Sequence, residues 1–277
     1  MNKLMASSFS RLKKSSLFWA ECVCMFVFGI ILVVNKYLDQ VRYHSVEILD
    51  NIFFAHAMGI GFVIALFVSR FLGKDYSDGT IRNKLIVGHT RFRIYFVNLI
   101  TCIVVSVILC ICFLVPTLAL GIPLLGTLTV RLDTILWMLL GTFLLAVAFC
   151  SIFTMFSMIC SNEAGVVAAG LLLLLALFMA AAAVYAKLEA PEFITSYVLS
   201  GDGSGEMEMR TEPNPKYLTE SERVYYQFIY DFLPAGQAIQ YTTMNAVHLW
   251  QMPLYSLIIS IGTTAAGVFI FRHKDIK

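Results

Sequence analysis

Six long apolar stretches run at about residues 17 to 34, 52 to 72, 95 to 120, 135 to 160, 164 to 186 and 253 to 271. A bilayer core of roughly 30 Å is crossed by about 20 such residues in a helix. Inside lipid every backbone N–H and C=O must be satisfied within the spanning element. Runs this long and this rich in Leu, Ile, Val and Phe predict helices and not barrel strands. The expected fold class is all-α, a polytopic membrane protein with six transmembrane helices. Composition agrees, with 59% hydrophobic and 14% charged residues, against about 25% charged in soluble domains.

Sidedness follows from the basic residues. The first sixteen residues, the 70 to 94 loop and the C-terminal tail hold most of the 20 Lys and Arg, among them Lys13, Lys14, Lys74, Arg82, Lys84, Arg91, Arg93, Arg272 and Lys274. The long segment 187 to 250 is rich in acids, and long loops count little in the positive-inside rule. Both termini are therefore expected in the cytosol of a cell (inner or plasma) membrane. The chain has no N-x-S/T acceptor, which is compatible with a bacterial source. A net charge of +2 gives no reason to expect a nucleic-acid partner.

The segment 1 to 16 places Met5, Phe9 and Leu12 at i, i+4 and i+7 with basic residues around them, which predicts a helix in the headgroup layer; a solvated tail is the other reading. No small-residue cleavage site follows the first apolar run, so a removed signal is not expected. All seven cysteines lie in or at the ends of spans without a C-x-x-C pair, and read as small packing residues. Ala164, Ala168, Ala176 and Ala180 recur at four-residue multiples in the fifth span, a pattern that lets helices approach closely, and packing within the chain is expected.

Ionisable residues within spans are candidates for a substrate path. Glu21 lies about a turn into the first span, within snorkelling reach of the interface or of Lys14. His56 lies near the outer end of the second, in reach of headgroups. An interfacial anchor is the plainer reading of both. Pro116 is expected to end or kink the third span.

Segment 187 to 250 is expected outside. "SGDGSGEMEMRTEPNP" reads as a loop. Thr219 with Glu222 forms a capping-box pattern opening a helix at about 219 to 233, with Val224, Phe228 and Phe232 on one face and Pro234 and Gly236 ending it. The remaining segment, 251 to 277, carries the sixth span and the tail.

The stretch "GKDYSDGTIRNKLIVGHTRFRIYF" between spans two and three has both charges and spaced hydrophobes. Asp78 is placed to cap a short helix at about 78 to 88, Gly88 to close it in a left-handed conformation, and Thr90 to begin the next helix. Ile81 and Leu85 share one side, with Ile86 and Val87 near them, and Arg82, Asn83 and Lys84 project elsewhere.

"DYSDGTIRNKLIVGHTRFRIY" resembles the signature between the second and third spans of type 2 ATP-binding-cassette (ABC) permeases. The resemblance extends over the chain, through the N-terminal helix, the six spans, "FLPAGQAIQ" in the outer segment and the tail "FRHKDIK". In that family the stretch includes the coupling helix, which docks on the nucleotide-binding subunit. By the match Asp75, Tyr76, Gly79, Thr80, Arg82 and Arg91 inherit docking or structural roles. Ile81, Asn83 and Leu85 of the same helix, and Glu163 between spans four and five, complete the ATPase-coupling set. Asp75 stands where Glu is commoner, and Gly88-His89 replaces a frequent Pro-containing pair.

A phosphate-cradling loop needs G-x-x-x-x-G-K-[ST]. The nearest match, Gly121 to Thr127, has the glycine spacing without the Lys. The chain is thus not expected to be an enzyme or to bind a cofactor; the resemblance puts ATP and Mg on a partner ABC ATPase. A second permease chain, giving a homodimer, and membrane lipid are the other expected partners. The implied function is the permease subunit of an exporter for amphipathic or hydrophobic cargo, with peptides of the phenol-soluble-modulin or antimicrobial kind favoured. Export of drugs or lipids, or a non-transporting signalling or immunity role, are the alternatives. An intramembrane enzyme would need convergent catalytic groups within the spans, and an ion-coupled carrier midplane charges in repeated halves.

Overall fold

The computed structural model describes residues 2–160, 163–199 and 207–274. In chain order it holds α1 (Asn2–Lys13), α2 (Ser16–Tyr43), α3 (Asp50–Phe53), α4 (His56–Ser77), α5 (Thr80–Ile86), α6 (Arg91–Leu125), α7 (Leu132–Ile159) and α8 (Glu163–Leu188). These are followed by β1 (Phe193–Leu199), β2 (Met207–Pro213), α9 (Glu220–Phe232), α10 (Pro234–Thr242) and α11 (Gln251–His273). With α3 and α4 taken together, six of these helices are long and apolar enough to cross a membrane. The all-α polytopic class read from the sequence is therefore the observed one.

The bundle is organised around α4, which buries Ile60, Ile64, Phe67, Val68 and Leu72. On one side it meets α7, whose Phe149 and Phe153 stack at 6.2 Å, and on the other it meets α8. Helix α11 lies along α7, and α2 along α6. Helix α6 is 35 residues long and contains Pro116 and Pro123. Pro116 does not end it, which leaves the kink of the two readings from sequence. Opposite the proline stands Gly29 of α2, where a Cβ would come within 2.9 Å of the Phe113 carbonyl oxygen and 3.1 Å of the proline ring. A side chain there would hold the helices apart, so α2 follows α6 closely past the point where the proline disturbs its ladder.

Helix α1 is buried on one side through Leu4, Ser8 and Leu12, while Met5 and Phe9 are only partly covered. Leu12 of the Met5–Phe9–Leu12 face read from the sequence is buried, Met5 and Phe9 pack partly against the core, and Leu4 and Ser8 take the most inward positions where α1 packs on α6. Ser15 caps α2, accepting from the Phe18 amide at 3.4 Å.

The expectation for the Ala stripe is overturned. Ala164, Ala168, Ala176 and Ala180 all lie on the exposed face of α8, together with Leu172 and Met179. The close packing of α8 on α4 uses other positions, such as Leu174 against Gly61. A four-residue spacing fixes a face of a helix but not the direction in which that face points.

At the end of the bundle away from α1, residues 207–213 of the segment expected as a loop form a strand, and 200–206 of it lie outside the described residues. β1 and β2 pair antiparallel, with Phe193 opposite Pro213 and Leu199 opposite Met207. The β-branched and aromatic run "FITSYVL" is the signal for it. The capping box at Thr219 and Glu222 is formed. Helix α9 stops at Phe232, and Pro234 then opens α10 as its first residue, so one proline ends one helix and begins the next. Val224, Tyr225 and Phe228 of α9 face outward, and its inward side carries Tyr230 and Asp231.

Candidate functional site

The end of the bundle that carries α1, α5 and the close of α11 is built around one buried carboxylate. Asp75, on the last turns of α4, is 1% exposed. A carboxylate can only accept hydrogen bonds, and burial is tolerable only if donors surround it. The chain supplies three. Thr80 Oγ1 donates to Asp75 Oδ1 at 2.6 Å, Lys84 Nζ to Oδ2 at 2.9 Å, and Arg11 of α1 pairs with Oδ1. The Arg11 guanidinium also lies 3.9 Å over the Phe71 ring. Burial pushes both cations below their ordinary values, Lys84 to about 8 with the neighbouring Arg11 as a second cause.

This cluster sets the attitude of α5. Asp78 does not cap the helix as expected; Gly79 occupies the N-cap at φ +64° and the helix makes no side-chain cap bond there. The chain has to reverse between α4 and α5, and glycine reaches that left-handed conformation without the Cβ clash of other residues. At the other end Gly88 is left-handed at φ +93°. Its N–H reaches the Leu85 carbonyl at 2.9 Å, and that of His89 reaches Lys84 at 3.1 Å, which closes the helix in a Schellman motif. Thr90 then caps α6, accepting from the Arg93 amide.

The result is a two-faced short helix. Ile81 is buried, Leu85 is half-buried, and Lys84 is turned to Asp75. Arg82 and Asn83 are exposed, as are Ile86 at 74% and Val87 at 76%. Ile86 and Val87 therefore leave the Ile81 side with which the sequence reading grouped them, and Lys84 joins it. Three and four residues bring a helix back to one face, so 81, 84 and 85 point together and 82, 83 and 86 point away.

Other residues of the sequence-derived set serve the frame. The Tyr76 hydroxyl donates to the Met158 carbonyl at the end of α7, and Lys274 Nζ lies 4.2 Å over the Tyr76 ring. Arg91 turns away from the tip of α5. It donates to the carbonyls of Phe271 at 2.9 Å, Arg272 at 3.3 Å and Lys274, so a cation sits at the negative end of α11. Glu163 lies at the start of α8, with its side chain outside the described ones. Arg11, the partner of Asp75 from a distant helix, was missed from the sequence; its only signal is a basic residue on an amphipathic helix.

The two candidates for a substrate path are placed differently from expectation. Glu21 is 5% exposed and, among the described residues, neither carboxylate oxygen has a hydrogen-bond partner, so it neither snorkels nor meets Lys14. His56 is fully buried, with its ring 5.2 Å from that of Phe113 and 6.3 Å from that of Phe54. It is kept from headgroups by the turn of α3 and by α10, whose Thr242 hydroxyl reaches the Phe54 carbonyl at 3.4 Å. Gly121 sits inside α6 against Leu49, so the glycine spacing of 121 to 127 belongs to a helix end and not to a phosphate loop.

Six helices long and apolar enough to cross a membrane, with a short two-faced helix exposed between the second and third, define a polytopic membrane protein. The family model for ABC-2 family transporter protein matches residues 3–276, and the chain belongs to that family. Membership makes it the membrane component of an ABC transporter that works with an ABC ATPase subunit. Comparison with curated proteins gives no match.

Proposed function

We propose that the chain is the permease half-unit of an ABC exporter, that the end carrying α1, α5 and the C-terminus is cytosolic, and that α5 takes the push of the ATPase on its outer face. The observation that carries the reading is the division of α5: its inner face is tied to Asp75 while Arg82, Asn83, Ile86 and Val87 stand out from the bundle. An exposed apolar pair beside a cation is what a partner surface would cover. Transfer of work requires that the two access states of the bundle differ in their affinity for the ATP-closed partner.

A second copy of the chain is the proposed neighbour in the membrane. Support comes from the exposed Ala164–Ala168–Ala176–Ala180 stripe of α8, whose small side chains allow a second helix backbone to come close. Amphipathic peptides are the proposed cargo, on the apolar character of the bundle. The test is Arg82→Glu in the reconstituted complex. Loss of ATPase association and of export is expected; retention of both overturns the docking role. For the cargo, stimulation of ATPase activity by a panel of peptides, lipids and drugs discriminates, and no response to any amphipathic peptide rejects peptide export.

A further inference from the structure

Helices α6 and α11 flank an open groove of about 630 Å³ on the outside of the bundle, with α7 beneath it. Its walls are apolar. Helix α6 contributes Phe92, Phe96 and Ile103, and α11 contributes Ile261, Ala265 and Phe269. The serine hydroxyls that border it are spent within the protein: Ser151 donates to the Ala148 carbonyl at 2.8 Å and meets Thr263 at 2.7 Å, and Ser260 donates to the Ser256 carbonyl at 2.7 Å. One charged side chain, Arg272, stands at the end where α6 begins and α11 closes. Its guanidinium lies 5.5 Å over the Phe92 ring, and among the described residues no acid lines the groove. The negative end of α11 would oppose an anion there, but Arg91 already covers the carbonyls of Phe271, Arg272 and Lys274.

We infer that this groove binds a phospholipid with an anionic headgroup, an acyl chain lying between α6 and α11 and the phosphate on Arg272. The length fits. From Phe92 to Ile103, and from Arg272 back to Ile261, each wall is about 16 Å long at 1.5 Å per residue. That is close to half of a hydrocarbon core of roughly 30 Å, so the groove is one leaflet deep and its cation stands at headgroup level. Spread over that length, the volume gives a cross-section of about 40 Å², room for extended hydrocarbon and too narrow for a helix about 10 Å across. Charge selects the head. A guanidinium holds a phosphate through two parallel N–H donors, and a zwitterionic head brings a cation of its own that competes for that phosphate. The assignment to the cytosolic leaflet rests on the sidedness proposed above; the binding itself does not.

The test is native mass spectrometry of the full-length chain in detergent, titrated with palmitoyl-oleoyl phosphatidylglycerol and with palmitoyl-oleoyl phosphatidylcholine. The anionic lipid is expected to bind at least about fivefold tighter, and Arg272→Gln to bring the ratio close to one. Both lipids are read on the same protein, so a partial loss of folded material cancels from the ratio. Ala265→Trp fills the groove from an exposed position and is expected to weaken both lipids about fivefold or more. Lys13→Gln with Lys14→Gln, away from the groove, should leave the ratio unchanged. Equal binding of the two lipids, a preference that survives Arg272→Gln, or binding unmoved by Ala265→Trp overturns the site. A preference lost in the Lys13 and Lys14 variant places the anion on α1 and overturns it too. Glycerophosphoglycerol, the headgroup without its chains, should not displace the lipid; displacement reduces the site to a surface anion contact and overturns the acyl groove. Conversion of a dimer to monomer by Ala265→Trp would make a second copy the occupant and reject the lipid. The assay needs neither ATPase nor cargo, so failure of the coupling or export reading leaves its outcome readable.

Discussion

Arg11 of the first helix is ion-paired with Asp75, 64 positions along the chain at the foot of α4. Through Asp75 the same contact reaches Thr80 and Lys84 of α5. The N-terminal helix, the second span and the short helix therefore share one anchor, and the exposed face of α5 is set by groups that lie behind it.

Removing that anchor leaves two cations without their carboxylate. Asp75→Ala is expected to destabilise the chain by about 3–5 kcal/mol, the cost of stranding part of a buried ion cluster. Arg11→Ala costs less, because Arg11 is 32% exposed and Asp75 keeps Lys84. Thermal unfolding in nanodiscs checks both. A loss for Asp75→Ala within the range of exposed pairs, about 1 kcal/mol or less, contradicts the role given to this residue.

Changes on the outer face of α5 act differently. Ile86→Asp with Val87→Asp is expected to leave unfolding within about 0.5 kcal/mol of the parent, since both side chains are exposed. ATPase co-purification is expected to fall severely. Stable chains that still retain the ATPase would place its footprint elsewhere.

Lys84 gives a pH signature. Its folded value of about 8 lies below the ordinary lysine value of 10.5. Between the two the unfolded chain binds more protons than the folded one, so stability rises with pH across that window and is lower below it. The parent protein should gain stability from pH 8 towards pH 10.5 relative to Lys84→Met. Parallel pH profiles of the two proteins would count against a buried, proton-shedding lysine.

The stripe on α8 can be tested without touching the core. Ala168→Trp or Ala176→Trp adds bulk to an exposed face, so one chain should fold as before. If two copies meet there, mass photometry in nanodiscs should show the dimer replaced by monomer. An unchanged dimer locates the contact on another face.

Much of the fold was legible because lipid leaves few choices for the backbone, and six apolar runs had to become helices. Local chemistry was legible too: Thr90, the Thr219–Glu222 box and the left-handed Gly88 follow from hydrogen bonds that the nearby sequence must satisfy. What failed needed knowledge of neighbours. Asp78 seemed the obvious cap until Thr80 and Lys84 proved to serve Asp75. His56 was placed near headgroups because its depth depends on α3 and α10, which cover it. The apolar face of α9 was read correctly as a face. Its outward direction, with Asp231 turned in, depends on the glutamines and His248 that receive that acid.

The grip of Arg91 on the last carbonyls of α11 has a mechanical corollary. The foot of the third span and the tip of the sixth are stapled, and the sixth runs along α7. A tilt delivered to the base of α6 would therefore be passed to α11 and, along it, to α7, which also packs on α4, itself packed on α8 and tied to α1 through the Arg11 contacts with Asp75 and Phe71.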